Sequence, residues 1–317
     1  MPTRIEKLKK LSKASGGPDI YIKRDDQTGT ELSGNKVRKL EYSIREALDN
    51  GCDYLITCGG IQSNHCRATA AAAAKLGMKS CLVLRGTEAS EPEGNLLLDR
   101  LLGAEIRFIT AEEYSVRRGE IMEAIKREME HKGFRPYIIP EGASNGIGSF
   151  GYYTAMEEIL AQEKEMNIHF DCIVLATGSG GTYSGLWLAN KLHGNTADIY
   201  GIIVGGDVAY FKERIPEILR ESMGYMAVEI PVSADEINLV GGYVGRGYAL
   251  SRPEELEFIR ELAGLEGIIL DPVYTGKAMY GLTSEIKKGT FDKYRNILFV
   301  HTGGLYGLFP QGDLFEF

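Results

Sequence analysis

Three short stretches of this chain carry residue types that chemistry can use. Thr177-Gly178-Ser179-Gly180-Gly181-Thr182-Tyr183-Ser184-Gly185 follows a buried-looking run and precedes a helical stretch from Leu186 to Lys191. Glycines let a backbone turn sharply and aim several N–H groups inward, hydroxyls add donors, and the next helix presents its positive end. That is the make-up of a phosphate cup; a tight strand-to-helix turn is the plainer alternative. No Lys-Ser or Lys-Thr closes the loop and the dinucleotide pattern is not met, so a single phosphate monoester fits best. The second stretch, Cys58-Gly59-Gly60-Ile61-Gln62-Ser63-Asn64-His65, also joins a strand to a helix. Ser63 or Asn64 can cap that helix, and a substrate carboxylate would be stabilised there; a simple cap is the plainer reading. His65 has no triad partner visible in sequence. The third, Ser33-Gly34-Asn35-Lys36-Val37-Arg38-Lys39, sets three cations in four positions, which alone reads as a solvated helix face.

The elements that must position these stretches alternate. Strand-like runs at 54–57, 80–84, 106–109, 137–139, 172–176, 199–204 and 297–300 are separated by helical patterns, among them 67–76, 95–102, 121–131 and 152–166. Such alternation marks an α/β fold with a parallel sheet covered by helices. Two units are expected: a small one over residues 48–148, and a large one built from 149–317 with 1–47 added. The alanine run Ala70 to Ala74 reads as a helix packed closely on a sheet.

With 317 residues and 44% hydrophobic composition the chain can fill sizeable cores. The 36 basic against 44 acidic residues give a formal charge of −8, which argues against a nucleic-acid partner while leaving room for a local anion site. The segment Met1 to Lys13 is charged and no stretch is apolar long enough to span a bilayer, so the expectation is a cytoplasmic protein with no membrane partner. Five scattered cysteines lack metal-ligand spacing and suggest reduced core residues, with no metal expected.

Taken together, the lysine after Ser-Gly-Asn, the Gly-Gly-Ile-Gln-Ser-Asn-His loop and the Thr-Gly-Ser-Gly-Gly-Thr cup resemble fold type II of the pyridoxal-phosphate enzymes. Within it the likeness is closest to the D-cysteine desulfhydrase and 1-aminocyclopropane-1-carboxylate (ACC) deaminase group, and it runs from about Ile22 to Phe309. The resemblance implies two open, twisted, mostly parallel-sheet domains with pyridoxal 5'-phosphate in the cleft between them, and a homodimer. It implies that Lys36 forms the Schiff base, that Asn64 lies near the cofactor's ring hydroxyl, and that Thr177, Gly178, Ser179, Gly180, Gly181 and Thr182 bind the phosphate. Ser63, Asn64 and His65 would hold the carboxylate of a small amino-acid substrate, with Lys39 a second cation nearby. Such roles agree with the chemistry: imine formation needs a neutral amine, a phosphate dianion needs oriented dipoles, and the cofactor delocalises the carbanion.

Gly247-Tyr248-Ala249 and Asp271-Pro272-Val273-Tyr274-Thr275 match two places where the group carries active-site tyrosines, making Tyr248 and Tyr274 candidates for positioning substrate and moving protons. In the deaminases a glutamate follows the second tyrosine and pairs with the pyridine nitrogen; here that position is Thr275. Thr302, in His301-Thr302-Gly303-Gly304, replaces an apolar residue. A hydroxyl at the pyridine nitrogen makes a weaker electron sink than a carboxylate, favouring β-elimination over ring opening. D-Cysteine would then give pyruvate, ammonia and hydrogen sulfide, with ACC deamination or an L-specific elimination, as from cysteate, as alternatives. Arg246, beside Tyr248, could bind a second anionic group and favour a sulfonate-bearing substrate; a solvated loop arginine is the plainer reading.

Overall fold

The computed structural model describes residues 2–316. The chain opens with β1 (Ile5–Lys7), α1 (Lys9–Ser15), β2 (Asp19–Lys23) and α2 (Lys36–Asp49). Next come β3 (Tyr54–Gly60), α3 (Asn64–Lys75), β4 (Lys79–Arg85), α4 (Gly94–Leu101), β5 (Glu105–Ile109), α5 (Ala111–Val116), α6 (Arg118–His131) and β6 (Pro136–Ile138). The remainder runs through α7 (Gly146–Met166), β7 (Cys172–Thr177), α8 (Gly181–Leu192), β8 (Asp198–Ile203), α9 (Val208–Met226), β9 (Asn238–Val240), α10 (Pro253–Glu266), α11 (Thr275–Lys287) and β10 (Asn296–Val300).

The strands form two sheets. One has the order β5-β4-β3-β6 and is wholly parallel; the other has the order β1-β2-β10-β7-β8-β9 and is parallel except where β1 meets β2. The expected α/β class with two mostly parallel sheets therefore holds. Every expected strand and helix is present within a few residues of its place, the helices starting earlier where their caps lie. Strands β1, β2 and β9 were not foreseen. β2 reads weakly because Asp19 and Lys23 flank only three apolar residues, and its status comes from pairing with β10. The alanines of α3 let it lie close on its sheet: Ala68, Ala70, Ala71 and Ala73 are all buried. All five cysteines are free and four are buried. No helix among the described residues is long and apolar enough to cross a membrane.

The basic segment is not a solvated face. Arg38 and Lys39 are buried on α2. Buried charges need partners, and Arg38 finds them in Asp25, with Nε and Nη2 each at 2.9 Å, and in Glu158, with Nη1 at 3.0 Å. The Tyr152 hydroxyl donates to Asp25 at 2.6 Å, and Lys23 pairs with the same Glu158. These ties bind α2 to β2 and α7. At the crossing stands Gly151, where a Cβ would sit 2.2 Å from the Arg38 carbonyl oxygen, so any side chain would force α2 and α7 apart. The apolar face of α2, Leu40, Ile44 and Ala47, packs instead with Leu55, Ala68 and Ile139 around the smaller sheet. The helix that begins at Lys36 is thus gripped from both sides.

Candidate active site

A cavity of about 460 Å³ opens where β3, β4 and β7 end and where α2, α3 and α8 begin. Carboxyl ends of parallel strands are where α/β folds place ligands, since the loops diverge there and helix N-termini point in. Lys36, the first residue of α2, lines it. Its amine has no hydrogen-bond or ion-pair partner among the described residues. Burial pushes its pKa down from 10.5 to about 8, against the upward pull of Glu141 and Cys66. A neutral, nucleophilic amine is accessible near physiological pH.

The glycine cup forms one wall. Gly178, Ser179, Gly180 and Thr182 line the cavity along with Thr177. Gly180 precedes α8 with a φ of 89°, a conformation that suits glycine, and no side chain caps the helix. The first N–H groups of α8 therefore remain for a ligand. The Ser179 and Ser144 hydroxyls are 2.7 Å apart, Lys39 donates to Ser144 Oγ at 2.8 Å and to the Gly142 carbonyl at 2.6 Å, and Asn35 donates to Thr182 Oγ1 at 3.2 Å. Gly181 begins the helix but does not line the cavity; a Cβ there would meet the Lys39 amine at 2.7 Å. Lys39 thus lies behind the cup, away from the place expected for a substrate carboxylate. Burial, and then the neighbouring Lys36, drives its pKa well below the ordinary lysine value. A half-buried amine at Lys36 and a buried one at Lys39, neither paired with an acid, beside an uncapped helix end, fit a phosphorylated group that reacts with an amine.

The second wall is the loop from Gly59 to His65. Ser63 caps α3, its Oγ accepting from the Cys66 N–H at 3.2 Å. Asn95 donates to Asn64 Oδ1 at 3.1 Å, which orients the Asn64 amide at the cavity edge. His65 also borders the cavity. Its Nε2 lies 2.8 Å from Thr57 Oγ1, whose own proton goes to the Ile139 carbonyl, so His65 donates here. Burial, with Lys36 and Lys39 adding to it, holds its pKa well below 6.5. It is a neutral, oriented ring.

Tyr248 and Tyr274 face each other across the third wall, hydroxyls 2.5 Å apart and rings edge to face. Burial pushes Tyr248 up to about 12 and Tyr274 well above its ordinary value, so both keep their protons at neutral pH. Thr302 lines the cavity, whereas Thr275 is buried outside it. The Thr275 hydroxyl donates to Asp271 Oδ1 at 2.7 Å and accepts from the Asp271 N–H at 2.9 Å. It is spent on the turn that starts α11. Arg246 is also elsewhere, in a groove with Pro253, Leu256 and Arg260.

Sequence reasoning missed Asn35, Arg85, Tyr114, Ser115, Arg118 and Glu141, all of which border the cavity. Glu141 accepts from the Tyr114 hydroxyl at 2.7 Å and stands 3.8 Å from Arg118. The signal for Arg85 was present: it stands at the carboxyl end of β4, an inner strand of a parallel sheet, where sites gather.

Comparison with known proteins agrees with this geometry. The family described as "Pyridoxal-phosphate dependent enzyme" matches residues 1–303. A mitochondrial protein of Arabidopsis thaliana, named as a bifunctional D-cysteine desulfhydrase/1-aminocyclopropane-1-carboxylate deaminase, is 43% identical over 99% of this chain and 79% of its own. A Thermotoga maritima protein provisionally named 1-aminocyclopropane-1-carboxylate deaminase is 43% identical over 98% of this chain and 96% of its own. A solved ACC deaminase homologue superposes with a TM-score of 0.90 at 41% identity, covering 99% of this chain and 93% of that one. With a lysine, a phosphate cup and a full-length likeness all in one place, the chain belongs to the pyridoxal-phosphate dependent enzymes, in the group of the D-cysteine desulfhydrases and ACC deaminases.

Proposed function

We propose that the enzyme is a β-eliminating C–S lyase whose substrate is D-cysteine, released as pyruvate, ammonia and hydrogen sulfide. The observation that carries this reading is a missing carboxylate. Thr302 offers a hydroxyl to the cavity where the deaminases have an apolar residue, and the position after Tyr274 holds Thr275 rather than glutamate. Asp271 cannot substitute, since it accepts from the backbone of Val273, Tyr274 and Thr275 outside the cavity. Glu141, the one acid among the described lining residues, is turned to Tyr114 and Arg118. Thr302, rather than Thr275, is then the group for the pyridine nitrogen, and a neutral hydroxyl leaves the ring a weaker electron sink.

Pyridoxal phosphate supplies delocalisation of the electron pair left on the substrate's α-carbon. The chain's residues do the rest. The N–H groups at the start of α8, with Ser179 and Thr182, hold the phosphate, and Asn64 serves the cofactor ring. Ser63, Asn64 and His65 surround the substrate carboxylate. With the cofactor bound and the substrate's amine in place, Lys36 would take the α-proton in its uncharged form, which burial favours. The protonated pair Tyr248 and Tyr274 faces the β-carbon and supplies a proton to the departing sulfur. Loss of the α-hydrogen and of the C–S bond yields an enamine that water converts to pyruvate and ammonia.

ACC deamination is the second reading, favoured by the names of two of the relatives above. An L-specific elimination uses the same parts. The test is a panel: sulfide and pyruvate from D- and L-cysteine, beside 2-oxobutanoate from the cyclopropane amino acid. Sulfide from the D-enantiomer is expected; 2-oxobutanoate without sulfide would refute the proposal. The same reading places the enzyme in the cytoplasm as a homodimer, with residues 1–47 and 149–317 holding the cofactor and 48–148 closing over it.

A further inference from the structure

Two cations border the cavity without a part in the chemistry above: Arg118, which stands 3.8 Å from Glu141, and Arg85. Arg85 ends β4 with its guanidinium carbon 5.4 Å from the Tyr114 ring centre and 5.3 Å from that of Tyr248. Among the described residues it meets no carboxylate and makes no side-chain hydrogen bond. Its neighbours are otherwise committed: Glu141 to Tyr114 and Arg118, and Tyr248 to Tyr274. A guanidinium stacked between two rings is held flat and partly stripped of water, while its N–H edge stays free. Such an edge matches a planar or tripodal oxyanion.

Position decides which anion. A Cβ on Gly60 would lie 3.8 Å from Arg85 Nη2 and 3.8 Å from Tyr248 Cε1, so the guanidinium stands beside the carboxylate loop and against the tyrosine wall. With the amine of a bound amino acid at Lys36 and its α-carboxylate at the start of α3, the remaining substituent points to the tyrosines and Arg85. We infer that Arg85 is a specificity residue that receives the β-substituent, selecting amino acids that carry a second negative charge there, as a carboxylate, sulfonate or ionised thiol. The role expected of Arg246 falls to Arg85. This deepens the reading above by naming the substrate class, and rests on it for the placing of amine and α-carboxylate.

Equilibrium binding tests it without turnover. The pyridoxal-phosphate-loaded enzyme is titrated with aspartate and with its neutral isostere asparagine, both enantiomers of each, following the cofactor's visible absorbance. The wild type should bind aspartate about tenfold to 100-fold more tightly than asparagine. Arg85→Gln should abolish that preference while leaving asparagine within about threefold, and Arg85→Lys should retain part of it. Equal affinity for the two ligands in the wild type overturns the inference, even if a variant fails to fold. So does an equal loss of both ligands in Arg85→Gln, which would assign Arg85 to the α-carboxylate, or no change in either. An enzyme that prefers aspartate yet releases no sulfide from cysteine would refute the elimination reading and leave the anion subsite standing.

Discussion

The cavity uses one motif twice, a strand followed by a loop and a helix N-terminus, and the two copies are finished differently. At the end of β3 the helix α3 is closed by its own chain: Ser63 caps the Cys66 N–H. At the end of β7 the helix α8 is left open: Gly180 has no side chain to offer and its φ of 89° turns the backbone of the loop inward. A helix end that is already capped has less to gain from an anion, and one that is uncapped keeps orphan donors until a ligand arrives. The open end suits a resident group held for the life of the protein. The closed end suits a substrate carboxylate that must come and go.

Three substitutions would break or sharpen that contrast. The largest effect is expected at Lys36, which serves both ends. Lys36→Ala should abolish the yellow colour of the loaded protein and lower turnover by roughly 10²- to 10⁴-fold, read from spectra before and after borohydride and from product assays. The same residue gives a pH signature in cofactor-free protein. Because burial lowers its pKa to about 8, the uncharged amine dominates above that pH, so the rate of cofactor capture should climb from pH 6.5 and level off near pH 9. A rise that begins only near pH 10 would mean an ordinary, hydrated lysine.

Gly180→Ala should come next. It forces a side chain into a left-handed conformation, with its Cβ 3.2 Å from Ile218 Cδ1. The strain is about 1–2 kcal/mol, expected mainly as an approximately tenfold weaker cofactor dissociation constant. The smallest effect belongs to Ser63→Ala, which removes a cap worth about 1 kcal/mol of stability. Its melting temperature should fall and its KM rise while cofactor affinity stays put. If Ser63→Ala loosened the cofactor as much as Gly180→Ala, the division of labour between the two helix ends would collapse.

What the sequence revealed follows from where information is local. The Thr177–Thr182 cup and the 59–65 loop were legible because each is one contiguous stretch whose backbone path demands its residues, whereas Lys36 stood out only through the resemblance, its basic segment alone reading as a solvated face. The cavity's third wall was legible only in part. Tyr248 and Tyr274 stood in recognisable surroundings, but nothing near Thr275 announced that Asp271 would consume its hydroxyl. Lys39, which the resemblance set near the substrate carboxylate, is instead held behind the cup by Ser144 and the Gly142 carbonyl, partners more than a hundred residues away in sequence. Arg85 at the end of β4, Tyr114 in α5 and Glu141 after β6 are far apart in sequence and meet only in the folded protein. β2 was missed for the same reason, since its strand character is lent by a distant partner.

That partner has a consequence for how the protein is made. β2 pairs in parallel with β10, and Arg38 reaches Glu158, so the segment that carries Lys36 is completed by residues near 158 and near 300. Ribosomes add about 5–20 residues per second, which leaves β2 without its neighbour for tens of seconds on the order of the synthesis time. During that interval the smaller sheet, whose strands are contiguous between 54 and 138, can already assemble. The lysine at the heart of the enzyme is therefore translated before the partners that complete its segment, and a substitution weakening β2 should lower the yield of folded protein as well as activity.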